Sequence, residues 1–262
     1  MSAIVTKEGL VHYEAVGRGK PPLVFVHGWL GSWRYWMPAM EELSGRCRTY
    51  ALDLWGFGGS DRLRMHYSID AYVELLREFL DHLGIEHISL VGHALGGVVA
   101  LLFAARSPER VEQVMGVSVP LVDAAIGRPL AGLPGNGEAL ARLVARQANF
   151  PEVGMEARRA DVAAITYSMR STMEHDLRRA MPPTDVPVLL VYGGDDPLVK
   201  PPQSEWLRNC DDNVRAIFLN GTQHFPMLEE RNKFNRLLMD FLDAGDDLAS
   251  LELKEEWRRR LR

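Results

Sequence analysis

The sequence predicts an α/β fold in which a mostly parallel sheet is flanked by helices. Short apolar runs typical of strands alternate with longer runs in which apolar residues recur at helical spacing. Such alternation builds parallel sheets that are covered by helices on both faces. Several of the strand-like runs also end in glycine-containing turns with polar residues, at the strand ends where ligands bind in these sheets.

The elements follow one another in a regular order after an N-terminal hairpin, which we expect at residues 3–16 with its turn at Glu8-Gly9. Strands are predicted near residues 23–27, 49–54, 87–92, 111–119, 187–193 and 214–220, and helices near 36–43, 68–83, 94–106, 203–210 and 229–243. Ser68 is a typical N-cap for the second of these helices.

The alternation stops at Pro120 and resumes near Asp185. We expect residues 120–184 to form a small helical lid inserted after the sixth strand, with loop breaks at 127–129, 133–137 and 149–154; a plain surface insertion is the alternative. Lids exclude water and shape the substrate pocket. Residues 1–119 and 185–245 then form the core. Residues 246–262 form a C-terminal helical extension that packs on the protein's own surface or serves as a partner or membrane site.

The segment Val91–Gly97, which reads VGHALGG, has the form of a nucleophile elbow. In the pattern G-x-S-x-G, a serine lies on a strained turn between a strand and a helix, and its hydroxyl is exposed above the sheet. Ala94 stands at the serine position, and its methyl group can neither attack a carbonyl nor transfer a proton. An ordinary glycine-rich turn is the alternative reading of this segment taken alone.

Four further motifs accompany the elbow. They are His27-Gly28-Trp29 after an apolar strand, the run from Asp53 to Asp61 (DLWGFGGSD), Asp195-Asp196-Pro197 after the strand at 188–193, and His224-Phe225-Pro226 after the last strand. With the elbow, and over nearly the whole chain to about Leu242, they resemble the α/β-hydrolase superfamily. The order nucleophile position, acid, histidine is also the order of that fold.

The resemblance implies a catalytic set of Ala94 at the nucleophile position, Asp196 as the acid and His224 as the general base. The backbone N–H groups of Trp29 and Leu95 are the implied oxyanion hole. We further expect His93 and Trp29 to contact substrate. Asp53 and Ser60 are read as structural, as is the imidazole of His27.

The implied activity is hydrolysis of an ester-like or carbon–carbon bond in a small, partly apolar substrate. Because Ala94 closes the covalent route, three readings stay open. The chain is a hydrolase whose nucleophile has been replaced, so that it is inactive or traps its substrate. Alternatively, it is a cofactor-free enzyme of the lyase, isomerase or oxygenase type that uses only the His224–Asp196 dyad, or it is a non-catalytic ligand-binding relative. Epoxide hydrolase chemistry would need an aspartate at position 94.

The composition and the motifs missing from the sequence narrow the classes of partner that we expect this protein to bind. The 262 residues carry a net charge of −5, which argues against a general nucleic-acid binder because such proteins present a basic face. No phosphate-binding glycine motif, HExxH or CxxC is present in the sequence, so we expect no cofactor and no metal site. With neither a signal peptide nor an apolar run of membrane length in the sequence, we expect a cytoplasmic protein that binds a small molecule rather than a membrane.

Overall fold

The computed structural model describes residues 2–122, 125, 139, 150–180, 185–210, 212–248 and 251. Its centre is an eight-stranded sheet in the order β1-β2-β4-β3-β5-β6-β7-β8. The strands are β1 (Ser2–Val5), β2 (Leu10–Val16), β3 (Leu23–Val26), β4 (Thr49–Leu52), β5 (Ile88–His93), β6 (Val111–Val117), β7 (Val188–Gly193) and β8 (Val214–Leu219). β2 runs antiparallel to β1 and β4, and all other neighbours are parallel. The predicted fold class is confirmed.

Helices flank this sheet. They are α1 (Met37–Leu43), α2 (Ile69–His82), α3 (Leu95–Arg106), α4 (Pro151–Arg159), α5 (Val162–Met173), α6 (Leu177–Ala180), α7 (Ser204–Arg208), α8 (Pro226–Glu229) and α9 (Arg231–Ala244). α1 packs against α9, and α2 packs against α3. The N-cap prediction is confirmed, because the Ser68 side chain accepts a hydrogen bond from the Ala71 N–H at the start of α2.

Helix α3 begins directly after the elbow and is buried along most of its length, from Leu95 to Ala104. It contacts β5, β6 and β3 on the sheet side and α2 and the insertion helix α5 on the other sides. A helix that is enclosed in this way is apolar on every face, which explains the run LGGVVALLFAA. The first turn of α3 is therefore held rigidly over the carboxyl end of β5.

The insertion between β6 and β7 contains α4, α5 and α6 in its described part. The loop break predicted at 149–154 is wrong from Pro151 onward, because α4 begins there. Proline is favoured in the first turn of a helix, where its missing N–H costs no hydrogen bond. The Cβ position of Gly154 faces open space, so packing does not require a glycine in this helix. The breaks predicted at 127–129 and 133–137 lie outside the described residues, and the domain boundaries stay predictions.

The C-terminal extension begins by packing on the core. Leu248 and Leu251 are buried within the main hydrophobic cluster. Residues 252–262 lie outside the described part of the chain. No helix among the described residues is both long and apolar enough to span a bilayer.

Candidate active site

The elbow holds Ala94 in a conformation that L-residues rarely adopt, with φ 45° and ψ −109°. A positive φ of this kind in a residue other than glycine costs about 1–3 kcal/mol and persists only where the surroundings impose it. The Ala94 N–H donates to the Val117 carbonyl at 2.8 Å. A Cβ on Gly92 would lie 2.3 Å from the Gly96 carbonyl oxygen, so strand and helix pass too closely for any side chain there. The turn thus keeps the strained geometry of a nucleophile elbow although it carries a methyl group.

His224 and Asp196 form a hydrogen-bonded pair beside this elbow. His224 Nδ1 lies 2.9 Å from Asp196 Oδ2. The other carboxylate oxygen, Oδ1, accepts hydrogen bonds from the backbone N–H groups of Leu198 at 2.8 Å and Val199 at 3.1 Å. Burial raises the pKa of Asp196, but the adjacent His224 and these N–H donors outweigh burial and lower that pKa below its usual value. Asp196 is therefore an ionised carboxylate that accepts a hydrogen bond from His224.

The pair fixes which nitrogen of His224 faces the carboxylate. Because the ionised carboxylate only accepts, the Nδ1–H group of His224 is the donor, and Nε2 is the nitrogen that Asp196 does not engage. The neighbouring carboxylate, Asp195, is exposed, and its backbone N–H donates to the Thr222 carbonyl at 2.9 Å. The structure thus brings Asp196, rather than Asp195, into contact with His224.

A chain of buried hydrogen bonds joins the elbow to the two neighbouring loops. The Gly28 N–H donates to the Tyr35 hydroxyl at 2.5 Å, and that hydroxyl lies 3.2 Å from His93 Nδ1. His93 Nε2 lies 2.9 Å from the His224 carbonyl oxygen, which only accepts. The proton of His93 is therefore on Nε2, and Tyr35 donates to Nδ1.

This arrangement corrects the expectation that His93 binds substrate. The ring is fully buried and both nitrogens bond to protein groups, so His93 has no polar atom to offer a ligand. Burial, followed by the nearby His224, lowers the pKa of His93 well below its usual value. The ring is neutral and packs 4.8 Å from the His224 ring, measured between centroids.

The loop after β3 lies directly against the elbow. A Cβ on Gly28 would be 2.7 Å from His93 Nδ1 and 3.1 Å from Ala94 Cβ, so only glycine fits. His27 links this loop to the segment after β4. Its Nε2 accepts a hydrogen bond from the Leu54 N–H at 3.0 Å, and its Nδ1 donates to the Gly28 carbonyl at 2.9 Å. Trp29 is the next residue of this loop. Leu95 is the first residue of α3, and the backbone N–H groups in the first turn of a helix have no partner within the helix.

Comparison with known proteins agrees with this geometry. The family model for the alpha/beta hydrolase fold matches residues 21–164. The chain belongs to this family. The 2-hydroxy-6-oxo-2,4-heptadienoate hydrolase of Pseudomonas putida is 29% identical over 273 aligned positions, which cover 88% of this chain and 92% of the relative.

Solved structures show the same fold. A serine-to-glycine mutant of the N-acyl homoserine lactonase AidH, complexed with N-hexanoyl homoserine lactone, superposes with a TM-score of 0.81 at 22% identity and covers 93% of this chain and 97% of its own. The enol-lactonase from Burkholderia xenovorans superposes with a TM-score of 0.79 at 22% identity, covering 92% of this chain and all of its own.

In this α/β-hydrolase chain, the insertion helices are fastened onto the core beside the site. The Asp161 N–H donates to the Gly56 carbonyl at 2.8 Å, and the Tyr67 hydroxyl donates to Asp161 Oδ2 at 2.8 Å. Arg34 forms a 2.8 Å ion pair with the buried carboxylate of Glu156 on α4. The insertion therefore covers the loops that follow β3 and β4.

The motif from Asp53 to Asp61 folds back on itself, as a structural role requires. The buried Asp53 carboxylate accepts from the N–H groups of Trp33 and Gly59 and lies 2.8 Å from His12 Nδ1. The Ser60 hydroxyl donates to the Asp53 carbonyl at 2.6 Å. The described residues contain no cluster of three or more His, Cys, Asp or Glu side chains that could hold a metal ion.

Sequence reasoning missed Tyr35, His12 and Ser168. Ser168 on α5 accepts a hydrogen bond from the Trp29 indole at 2.9 Å. None of the three carries a local signal, because each has a hydrogen-bond partner that is distant in the sequence: His93 for Tyr35, Asp53 for His12 and Trp29 for Ser168. A lone tyrosine in an aromatic run, such as WRYW at 33–36, reads as core packing.

Proposed function

We propose that this chain binds a small, partly apolar ester-like substrate at the elbow, and that Ala94 prevents its conversion through an acyl-enzyme. The observation that carries the proposal is the pairing of an elbow in its strained conformation with an intact His224–Asp196 dyad. A chain with no use for the site would have no reason to keep about 1–3 kcal/mol of backbone strain at Ala94. The oxygen atom of the nucleophile is what the site lacks.

The chemistry that a serine would restore at this position is acyl transfer. Its hydroxyl would attack the substrate carbonyl while His224 Nε2 accepts the proton and Asp196 stabilises the imidazolium. The carbonyl oxygen would become an oxyanion held by the N–H groups of Trp29 and Leu95. His224 would then protonate the departing alcohol. In the second half of the reaction, a water molecule that gives its proton to His224 would attack the acyl-enzyme, and the serine oxygen would leave with the proton that His224 returns, releasing the acid.

The comparisons support a carbonyl substrate of modest size. One similar structure is an enol-lactonase, another is a lactonase whose serine-to-glycine mutant is described with its lactone, and the bacterial relative acts on a heptadienoate. A lactone is a cyclic ester, so both structures fit an ester-like ligand. The heptadienoate hydrolase favours keeping carbon–carbon bond hydrolysis within the same proposal.

The test is the Ala94→Ser substitution, assayed with p-nitrophenyl acetate and butyrate. We expect esterase activity to appear, since loss of a triad serine reduces turnover by up to about 10⁶ in a comparable hydrolase. In the Ala94→Ser background, His224→Ala and Asp196→Asn should each remove most of the gain. The matched control, Asp195→Asn, should remove much less because that carboxylate does not contact the histidine. Equal rates for the folded Ala94 and Ala94→Ser proteins contradict the proposal.

The Ala94 protein itself should bind ester-like ligands without consuming them. Binding to the folded state raises the melting temperature by mass action, so a thermal-shift screen of esters and lactones detects it. Mass spectrometry of the same mixtures should return the ligands unchanged.

A second function is favoured by one observation: the dyad is complete without a nucleophile. The Nε2 atom of His224 can remove a proton from a bound carbonyl compound, as a lyase, an isomerase or a cofactor-free oxygenase requires. Products that form with Ala94 present and disappear in His224→Ala would establish this dyad chemistry instead. Binding without product in both proteins leaves the ligand-binding role.

A further inference from the structure

We infer that Ser168, on the insertion helix α5, is a positioning residue for the loop at residues 27–31, which we call the oxyanion loop. Through the Trp29 indole, Ser168 holds the backbone N–H of Trp29 in place. The inference rests on the proposed function, because Trp29 is one of the two N–H donors assigned above. It adds a side chain that lies 139 positions away in the sequence. It also makes docking of α5 a condition for a formed oxyanion hole.

The oxyanion loop needs an external anchor because its backbone is strained. Leu30, directly after Trp29, has φ 60°. Leucine in this region is held only where surrounding contacts over-determine the backbone. Within the loop, the Gly31 N–H donates to the Gly28 carbonyl at 3.0 Å, and the Gly28 N–H donates to Tyr35. These bonds hold the start and end of the turn, whereas the bond to Ser168 holds Trp29 itself.

The geometry at Ser168 assigns the direction of its hydrogen bonds to Ala164 and Trp29, and the Tyr72 side chain is a further hydrogen-bond neighbour of this serine. Its Oγ lies 2.5 Å from the Ala164 carbonyl oxygen, one turn earlier in α5, and 2.9 Å from Trp29 Nε1. The carbonyl only accepts and the indole N–H only donates, so the serine proton points to Ala164 and a lone pair faces Trp29. Ser168 is fully buried and Trp29 is nearly so. Without the hydroxyl, the indole N–H is left unpaired in a buried place, which favours reorientation of Trp29.

Helix α5 provides a matched control in Ser171, three residues further on. Ser171 Oγ accepts from the Ile69 N–H at 3.0 Å, at the start of α2. This bond also fastens α5 to the core, and its donor lies in α2 rather than in the oxyanion loop. Ser168→Ala and Ser171→Ala thus remove the same atom from the same helix, and only the first change releases Trp29.

The kinetic test uses the Ala94→Ser background. Removing one oxyanion donor costs about 10²–10³-fold in kcat, so a displaced donor in Ser168→Ala should cost at least about tenfold, with KM changed by no more than about twofold. Ser171→Ala should keep kcat within about twofold. Ser168→Thr, which retains the hydroxyl, should recover most of the rate, and Trp29→Phe combined with Ser168→Ala should cost no more than either change alone.

A second readout separates this inference from the proposed function. Hydrogen–deuterium exchange of the Ala94 protein, followed on peptides covering residues 27–31, needs no activity. Ser168→Ala should accelerate exchange in that segment at least about tenfold, and Ser171→Ala should leave it unchanged. If Ala94→Ser gains no activity but the exchange behaves as expected, the proposed function fails and the coupling stands. Equal effects of the two serine variants on kcat, or unchanged exchange in Ser168→Ala, would overturn the inference.

Discussion

Tyr35→Phe tests the buried hydrogen-bond chain that joins three loops of the site. The tyrosine hydroxyl accepts from the Gly28 N–H and donates to His93 Nδ1, and the Tyr35 and His93 side chains are both almost completely buried. Phenylalanine keeps the ring and its contacts with Trp36 and Phe225. The change therefore removes hydrogen bonds while keeping the packing of the ring.

The magnitude follows from the groups left without partners. An unpaired buried donor or acceptor costs about 1–3 kcal/mol, and here both the Gly28 N–H and His93 Nδ1 lose their partner. We expect the free energy of unfolding to fall by about 2–4 kcal/mol, somewhat less than the full sum because the two groups share one hydroxyl and the site can relax. At about 2–4 °C per kcal/mol for a chain near this size, the melting temperature should fall by roughly 5–15 °C.

The assay is equilibrium unfolding in urea, followed by tryptophan fluorescence and circular dichroism. Tyr167→Phe is the control, because Tyr167 is 47% exposed on α5 and surface changes usually stay within about 0.5 kcal/mol. A loss below about 0.5 kcal/mol for Tyr35→Phe, equal to the control, would refute the reasoning that this hydroxyl links the loops.

Two further predictions concern pH and the docking of the insertion. Burial lowers the pKa of both His93 and His27, so below about pH 6.5 the unfolded chain binds more protons than the folded one. The free energy of unfolding should therefore fall with decreasing pH, by up to about 1.4 kcal/mol per pH unit for each ring. Urea titrations from pH 7.5 to 5 should show a smaller change of this free energy with pH for His93→Gln than for the parent protein. Equal changes in the two proteins would count against buried neutral rings. Gly56→Ala places a Cβ 2.4 Å from Ala164 Cβ at φ 84°, whereas Gly221→Ala meets φ 76° in open space. Gly56→Ala should cost more stability and open the insertion to limited proteolysis, and equal effects would show that backbone strain alone matters.

Most of the fold could be predicted from the order and spacing of residues along the chain. Apolar periodicity and turn residues are local signals, and they placed the strands, and the helices predicted outside the insertion, close to their observed positions. The elbow, the acid loop and the histidine loop could be located in the same way, because each is a contiguous run at the end of a strand. The Asp196–His224 pair forms as the motifs predicted, and His224 lies against His93 of the elbow, while the catalytic roles of Ala94, Asp196 and His224 stay proposals.

Contacts between distant segments of the chain decided which hydrogen bonds the residues of the elbow and its neighbouring loops make. The Tyr35–His93 bond spans 58 positions and the Trp29–Ser168 bond spans 139, and no spacing rule connects residues so far apart. The hydrogen bonds of the His93 ring to Tyr35 and to the His224 carbonyl follow from the polar groups that the folded chain places around it. Local patterns specify backbone conformation over a few residues, whereas hydrogen-bond partners in a buried site are set only when helices and strands pack.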